Sequence, residues 1–237
     1  MHGPVFDALV SVADPSATSV SLVRPGLLDR ARADAPDSEL RSAVRSAVAE
    51  LAAAGAQVVV CTCSTIGSLA EAVGLTEGIP VLRVDRPMAD RAVRTPPGHP
   101  GAPVRVLVAV ALGSTLGPTT ALLTASAEAA GREISIGVLR CDSAWPLFEA
   151  GRPMEFAAAV AEHVAAAVVP SNPAEAPRAD VVVLAQASMA PAAELLAGLG
   201  VPVLASPREA VRRALDLAGG AEPREPAGPG RASSLSG

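Results

Sequence analysis

Cys61-Thr62-Cys63-Ser64-Thr65 places two thiols and three hydroxyls in five consecutive residues. The run before it, Gln57 to Thr62 (QVVVCT), is apolar through its centre, the mark of a buried parallel strand. Ser64 to Val73 reads as a helix. Cys63 therefore falls on a strand-to-helix turn, where unpaired N–H groups and the helix dipole favour a thiolate. A thiolate there can act as a general base on a carbon acid or as a nucleophile. Ser64 and Thr65 add hydroxyls and N–H donors suited to a carboxylate. The same turn also fits a buried cysteine flanked by ordinary helix-capping residues, and residue types alone leave both readings open. Cys61, inside the strand, and Cys141, just past a strand over Glu133 to Leu139, read as packing residues. Gly113-Ser114-Thr115 follows a strand over Val104 to Leu112; its hydroxyls suit either an anion or the N-cap of the next helix. Asp85 with Pro87 reads as a helix cap. His2, His99 and His163 have no partner at a spacing that suggests a Ser–His–Asp site.

Composition removes several alternatives. Half of the 237 residues are apolar, enough for a real core in one large domain or two small ones. With one Trp, three Phe and no Tyr, that core must be Ala, Val and Leu. All 19 basic residues are Arg, so no Schiff-base lysine, phosphate-loop lysine or usual pyridoxal site is available. Net charge is −5 and the arginines are dispersed, which argues against nucleic acid as a partner. The apolar run Val106 to Gly113 is too short to span a bilayer, so no membrane partner is expected. Met1-His2-Gly3-Pro4 lacks the charged and apolar regions of a signal peptide. Three cysteines, two in Cys-x-Cys, make no disulfide framework, and the expected compartment is the reducing cytoplasm. Cys-x-Cys without a nearby His falls short of a closed zinc site, and no metal is expected.

The elements that must position these residues alternate in type. Ala17 to Val23 (ATSVSLV) alternates like a strand. Leu40, Val44, Val48 and Leu51 recur at helical spacing over Ser38 to Ala54, and Gly55 stops that helix. Strand Pro80 to Asp85 and helix Arg86 to Arg94 follow. Thr95-Pro96-Pro97-Gly98-His99-Pro100-Gly101-Ala102-Pro103 is the strongest internal break. Beyond it come helix Pro118 to Ala130, the strand to Leu139, helix Met154 to Val168, strand Asp180 to Ala185, helix Ala190 to Leu199, strand Val201 to Ala205 and helix Pro207 to Leu217. Such alternation implies βαβ units and parallel sheets. The expected organisation is an N-terminal α/β lobe over 1–95, a linker over 96–103 and a second α/β lobe over 104–206. A helix over 207–218 would pack back on the first lobe, ahead of a disordered tail over 219–237.

The chain also repeats itself. GAQVVVCTCSTIG, continuing to IPVLRVDRPMADRAV, matches RADVVVLAQASMA, continuing to VPVLASPREAVRRAL. Aligned over the turn, Cys63 matches Gln186, Ser64 matches Ala187 and Thr65 matches Ser188. The repeat implies two similar lobes about a pseudo-twofold axis. Ligands of parallel sheets bind at strand carboxyl ends, so the two matching turns would face one cleft.

Thr62-Cys63-Ser64, Val84-Asp85-Arg86-Pro87-Met88-Ala89, Ser114-Thr115-Leu116-Gly117-Pro118-Thr119 and Leu184-Ala185-Gln186-Ala187-Ser188-Met189-Ala190 together resemble the Asp/Glu/hydantoin racemase superfamily, over about Phe6 to Leu217. The resemblance implies two pseudo-symmetric α/β lobes with the active site between them, no cofactor, a small carboxylate substrate and a homodimer. In such racemases two cysteines flank the substrate α-carbon. Cys63 matches the first and is the implied catalytic residue. Thr65 and Thr115 match positions that hold the substrate carboxylate, and Ser64, Ser114, Gln186 and Ser188 stand beside them as substrate-binding candidates. Gln186 takes the place of the second cysteine. The superfamily also includes arylmalonate decarboxylase-like enzymes, which need one cysteine, so a single-cysteine decarboxylase is an alternative. A catalytically degenerate binding or regulatory protein is another. The first strand of the family is expected to be missing, since Phe6-Asp7-Ala8-Leu9 already reads as the following helix.

Overall fold

The computed structural model describes residues 3–32, 37–63, 65–170 and 177–219. These divide into two compact units, Met1–Arg83 together with the chain from Ala214, and Val84–Arg213. The Pro/Gly-rich break over 95–103 lies inside the second unit.

The first unit begins with helix α1 (Gly3–Ala13), in agreement with a helical reading of Phe6 to Leu9. The strand expected over Ala17 to Val23 is absent. The segment pairs with no strand among the described residues, Val20 and Val23 are exposed, and Ser19 Oγ instead donates to Asp7 Oδ1 of α1 at 2.5 Å. Alternation describes a surface that fits a sheet, but without a partner for its backbone groups the segment stays irregular. Helix α2 (Pro25–Arg32) leads to α3 (Asp37–Ala53). Leu40, Val44 and Val48 of α3 are buried with Val59, Ile66, Ala70, Val73 and Ile79. Gly55, at φ +90°, turns the chain out of α3, a conformation that a side chain would strain. Strands β1 (Val59–Cys61) and β2 (Val81–Arg83) pair in parallel, and α4 (Gly67–Glu77) joins them.

The second unit starts with α5 (Arg86–Val93). Its sheet holds β3 (Val104–Val110), β4 (Ile134–Arg140), β5 (Val181–Leu184) and β6 (Val203–Ala205), all parallel, in the order β4-β3-β5-β6. Period-two alternation divides the core into two layers. Val104, Val106, Val108 and Val110 with Val181 and Val183 pack against α5 and α6 (Leu116–Ala130), through Met88, Ala92, Leu122 and Leu123. Ala109, Val182 and Leu184 face the other way, onto Phe156, Val160 and Val164 of α8 (Pro153–Val168). The short helix α7 (Trp145–Glu149) lets Trp145 and Phe148 join Phe156 in one aromatic group. Helices α9 (Ala190–Leu195) and α10 (Ser206–Gly219) flank β6. Gly219 ends α10, and the rest of the expected tail lies outside the described residues. No described helix is long and apolar enough to cross a membrane.

Asp180, one residue before β5, ties the Pro/Gly-rich segment to this sheet. Its carboxylate accepts hydrogen bonds from Gly98 N at 3.1 Å, Arg105 N at 2.8 Å, Arg105 Nε at 3.2 Å and Arg105 Nη2 at 2.7 Å. Burial opposes its charge, but the hydrogen bonds and charge of Arg105 outweigh that and hold the carboxyl below the usual aspartate value.

Candidate functional site

Cys63 stands two residues beyond β1, at the carboxyl end of the strand. Its side chain is half-buried against the Leu40–Val44–Val48 cluster, and its carbonyl accepts a weak hydrogen bond from Cys61 Sγ at 3.5 Å. The helix expected from Ser64 starts later, at Gly67. The chain first delivers Ile66 into the core, where it is 7 % exposed, and only then winds into α4. Cys63 therefore lies ahead of the helix and not in its first turn. Ser64 lies outside the described residues. Thr65 is exposed and lines an open depression of about 400 Å³ with Arg41, Ile66 and Leu69, to which Cys63 does not contribute.

Arg83 is a neighbour that the sequence reading missed. It pairs in register with Cys61 and is buried at the end of β2. Its backbone N–H donates to Glu71 Oε1 of α4 at 3.3 Å. Gly67 makes room for it: a Cβ there would lie 2.8 Å from Arg83 Cβ and 3.3 Å from its Nε. The Arg-x-Asp motif at Arg83-Val84-Asp85 was the available signal. Asp85 takes the N-cap position of α5, where its carbonyl accepts Ala89 N–H at 3.1 Å, but its side chain makes no capping bond.

In the second unit β3, β4 and β5 each end in a single 3₁₀ turn before the next helix. These turns are Gly113–Thr115, Asp142–Ala144 and Ala187–Met189. The first and third are copies of one backbone form. Leu112 and Gln186 have φ −126° each, with ψ of 126° and 139°, and their carbonyls accept Thr115 N–H at 3.1 Å and Met189 N–H at 3.0 Å. Ser114 is exposed, while Thr115, Gln186 and Ser188 are half-buried. Neither turn shows a side-chain cap, so the hydroxyls of Ser114, Thr115 and Ser188 are not spent on helix capping.

Gln186 joins the two turns. Its Oε1 accepts the backbone N–H of Ala111 at 2.7 Å and of Leu112 at 3.1 Å. Backbone N–H groups only donate, so the oxygen must face them and the amide NH2 must turn away. On the other side of β3, Arg140 pairs in register with Val110, and its guanidinium reaches Gly113. A Cβ on Gly113 would lie 3.3 Å from Arg140 Nη2 and 3.6 Å from Nη1. Asp142 accepts Arg140 Nε at 2.7 Å and Nη2 at 2.8 Å. Cys141, between them, is fully buried; burial, then the Asp142 charge, pushes its thiol up to about 11, as befits a packing residue.

One further pair was not legible in sequence. His163 Nδ1 donates to Ala159 O at 2.6 Å, which leaves Nε2 to accept Ser143 Oγ at 3.3 Å. The pair is on the surface, with a backbone carbonyl and not a carboxylate behind the imidazole.

No family model and no curated protein matches the sequence. Solved structures do match in three dimensions. A Yersinia pestis protein assigned as an Asp/Glu racemase aligns with a TM-score of 0.58 at 14 % identity, over 91 % of each chain. Unliganded arylmalonate decarboxylase aligns with 0.52 at 18 % identity, over 78 % of this chain and 79 % of that one. Glutamate racemase RacE1 from Bacillus anthracis aligns with 0.50 at 17 % identity, over 91 % and 77 %. The chain thus has the fold of these racemases and of arylmalonate decarboxylase, the fold that its resemblance to the Asp/Glu/hydantoin racemase superfamily implied.

Proposed function

We propose that this protein is a cofactor-independent enzyme of the amino-acid racemase type, which moves a proton at the α-carbon of a small carboxylate through Cys63. The observation that supports this most is the fold shared with an assigned Asp/Glu racemase over 91 % of the chain, together with a thiol at the carboxyl end of β1. As thiolate, Cys63 takes the α-proton; as thiol, it returns one. Hydrogen bonds to the carboxylate stabilise the charge that develops on its oxygens as the proton leaves. Ser64, Thr65, Ser114, Thr115, Gln186 and Ser188 are the residues assigned to that task. A cytoplasmic homodimer accompanies this reading.

Gln186 favours a second reading, a single-cysteine decarboxylase. A primary amide is too weak an acid and too weak a base to carry the α-proton at neutral pH, and its Oε1 is committed to two backbone N–H groups. In that reaction carbon dioxide leaves, its bonding electrons stay on the α-carbon, and the Cys63 thiol protonates the carbanion. A panel of amino acids and substituted malonic acids in D2O separates the two, with Cys63→Ala as control. Deuterium wash-in without carbon dioxide, lost in Cys63→Ala, supports the first reading. Carbon dioxide release supports the second. No turnover across the panel contradicts both and leaves a binding or regulatory protein.

A further inference from the structure

We infer that the free edge of β4 is the surface through which two copies of this chain join, strand against strand and antiparallel, about a twofold axis at Gly137. The inference goes beyond the reading above, since it rests on the backbone of the second unit and not on Cys63. In the sheet order β4-β3-β5-β6, β4 and β6 are the edge strands. β6 spans three residues, of which Leu204 and Ala205 are buried. β4 spans seven, with Ser135, Gly137, Val138 and Arg140 exposed. At the two ends of the β3–β4 ladder, Val104 N–H donates to Glu133 O at 3.0 Å and Cys141 N–H donates to Val110 O at 2.7 Å. In that register Glu133, Ser135, Gly137, Leu139 and Cys141 bond to β3. The N–H and C=O groups of Ile134, Ile136, Val138 and Arg140 point out of the sheet, and no described residue bonds them.

An edge of this length is ordinarily guarded by Lys, Pro, a bulge or an inward charge. β4 has none of these: its one charge, Arg140, is paired with Asp142, and its ladder runs unbroken from Ile134 to Arg140. The edge is instead complementary to itself. Antiparallel pairing centred on Gly137 sets Ile136 opposite the partner's Val138, and Ile134 opposite the partner's Arg140. Both residues of each pair direct their backbone groups outward, so each pair exchanges two hydrogen bonds and every outward group finds a partner. Ile136 and the partner's Val138 meet as an apolar cross-strand pair on the face packed by α6. Val138, 47 % exposed in one copy, is covered in the pair. Gly137 lies on the axis opposite itself, in the kind of pair where side chains come closest. The arrangement uses each β4 edge once and closes at two copies.

Sedimentation of the full-length protein should show a monomer–dimer equilibrium. Val138→Lys, on an exposed side chain, should weaken that dimer by about tenfold or more. A cross-link reads the register. Gly137→Cys adds a Cβ 3.5 Å from Leu107 Cδ1, an ordinary contact. Across the axis the two Cα atoms of residue 137 lie about 4.5 Å apart, within disulfide reach. Those of Ser135 lie about 14 Å apart. Mild oxidation should therefore link Gly137→Cys to its partner through residue 137, as read by peptide mass spectrometry, and leave Ser135→Cys without a link through residue 135. A monomer at every concentration, or a dimer that Val138→Lys leaves at wild-type strength, would overturn the edge. No link in Gly137→Cys, or a link through residue 135 in Ser135→Cys, would overturn the register about Gly137. A monomer that turns over substrate would remove this interface and leave the proton-transfer reading standing; a dimer without turnover would do the reverse.

Discussion

The chain just beyond β1 carries a half-buried thiol, Cys63, whose backbone carbonyl accepts a weak bond from Cys61 Sγ. The turn after β5 carries Gln186, which is fixed by two backbone N–H donors from a neighbouring strand end. The sequence repeat makes these positions equivalent, yet their surroundings differ in kind. The first belongs to a two-stranded sheet, which among the described residues has no third strand beside it. The second belongs to a four-stranded sheet, where β3 supplies its partners. A position beside a third strand can be committed to architecture, and that commitment is incompatible with shuttling protons. The two turns therefore differ in the sheets that carry them as well as in the residue, Cys or Gln, at the matching position.

Breaking the Cys63 side should have the largest effect. Cys63→Ala should lower the rate on the true substrate by about 10²–10⁴-fold with little change in stability, read by steady-state kinetics beside thermal melting. Removing Asp180, which closes the far end of the second sheet, should cost stability and not chemistry. Asp180→Ala strands Arg105 and the Gly98 N–H, for a loss of about 2–3 kcal/mol in denaturant unfolding. Asp180→Asn isolates the charge. The folded carboxyl lies below its unfolded value of about 3.9, so its contribution is complete above that pH and fades as pH falls through the lower folded value. The acid-side loss of melting temperature should flatten in Asp180→Asn. Gln186→Leu should cost about 1–3 kcal/mol, because it orphans two N–H groups, one on the buried Ala111. Loss of exchange protection at Ala111 and Leu112 would accompany it. The smallest effect concerns the remaining thiols. Iodoacetamide on the native protein should label Cys63 well before Cys141, as read by peptide mass spectrometry, since Cys141 is buried with its thiol at about 11. Cys141 labelled first would invert the comparison.

Much of the second unit was legible because its strands are long or uniformly apolar. Val104 to Val110 alternates between two helical layers, and Val181 to Leu184 is buried throughout. The first unit was harder to read. Ala17 to Val23 has the alternation of a strand but no ladder partner, and pairing is a long-range property. The start of α4 was placed too early because Ile66, read as helical, is an anchor outside the helix. Cys63, Thr115 and Ser188 were legible as polar residues at strand ends. The Gln186 clamp was not, since its partners are 74 and 75 residues away and are backbone groups without a sequence signature. Arg140 was missed for the same reason: the glycine that accommodates it belongs to a neighbouring strand end.

Enantiomer-resolved exchange in D2O tests the account at its centre. Each enantiomer of a turned-over substrate is incubated separately, with wild type and with Cys63→Ala, and followed by NMR and chiral chromatography. With Cys63 moving the α-proton, deuterium should enter the α-position with the wild type and should not enter with Cys63→Ala. Wild-type exchange in Cys63→Ala would contradict the account.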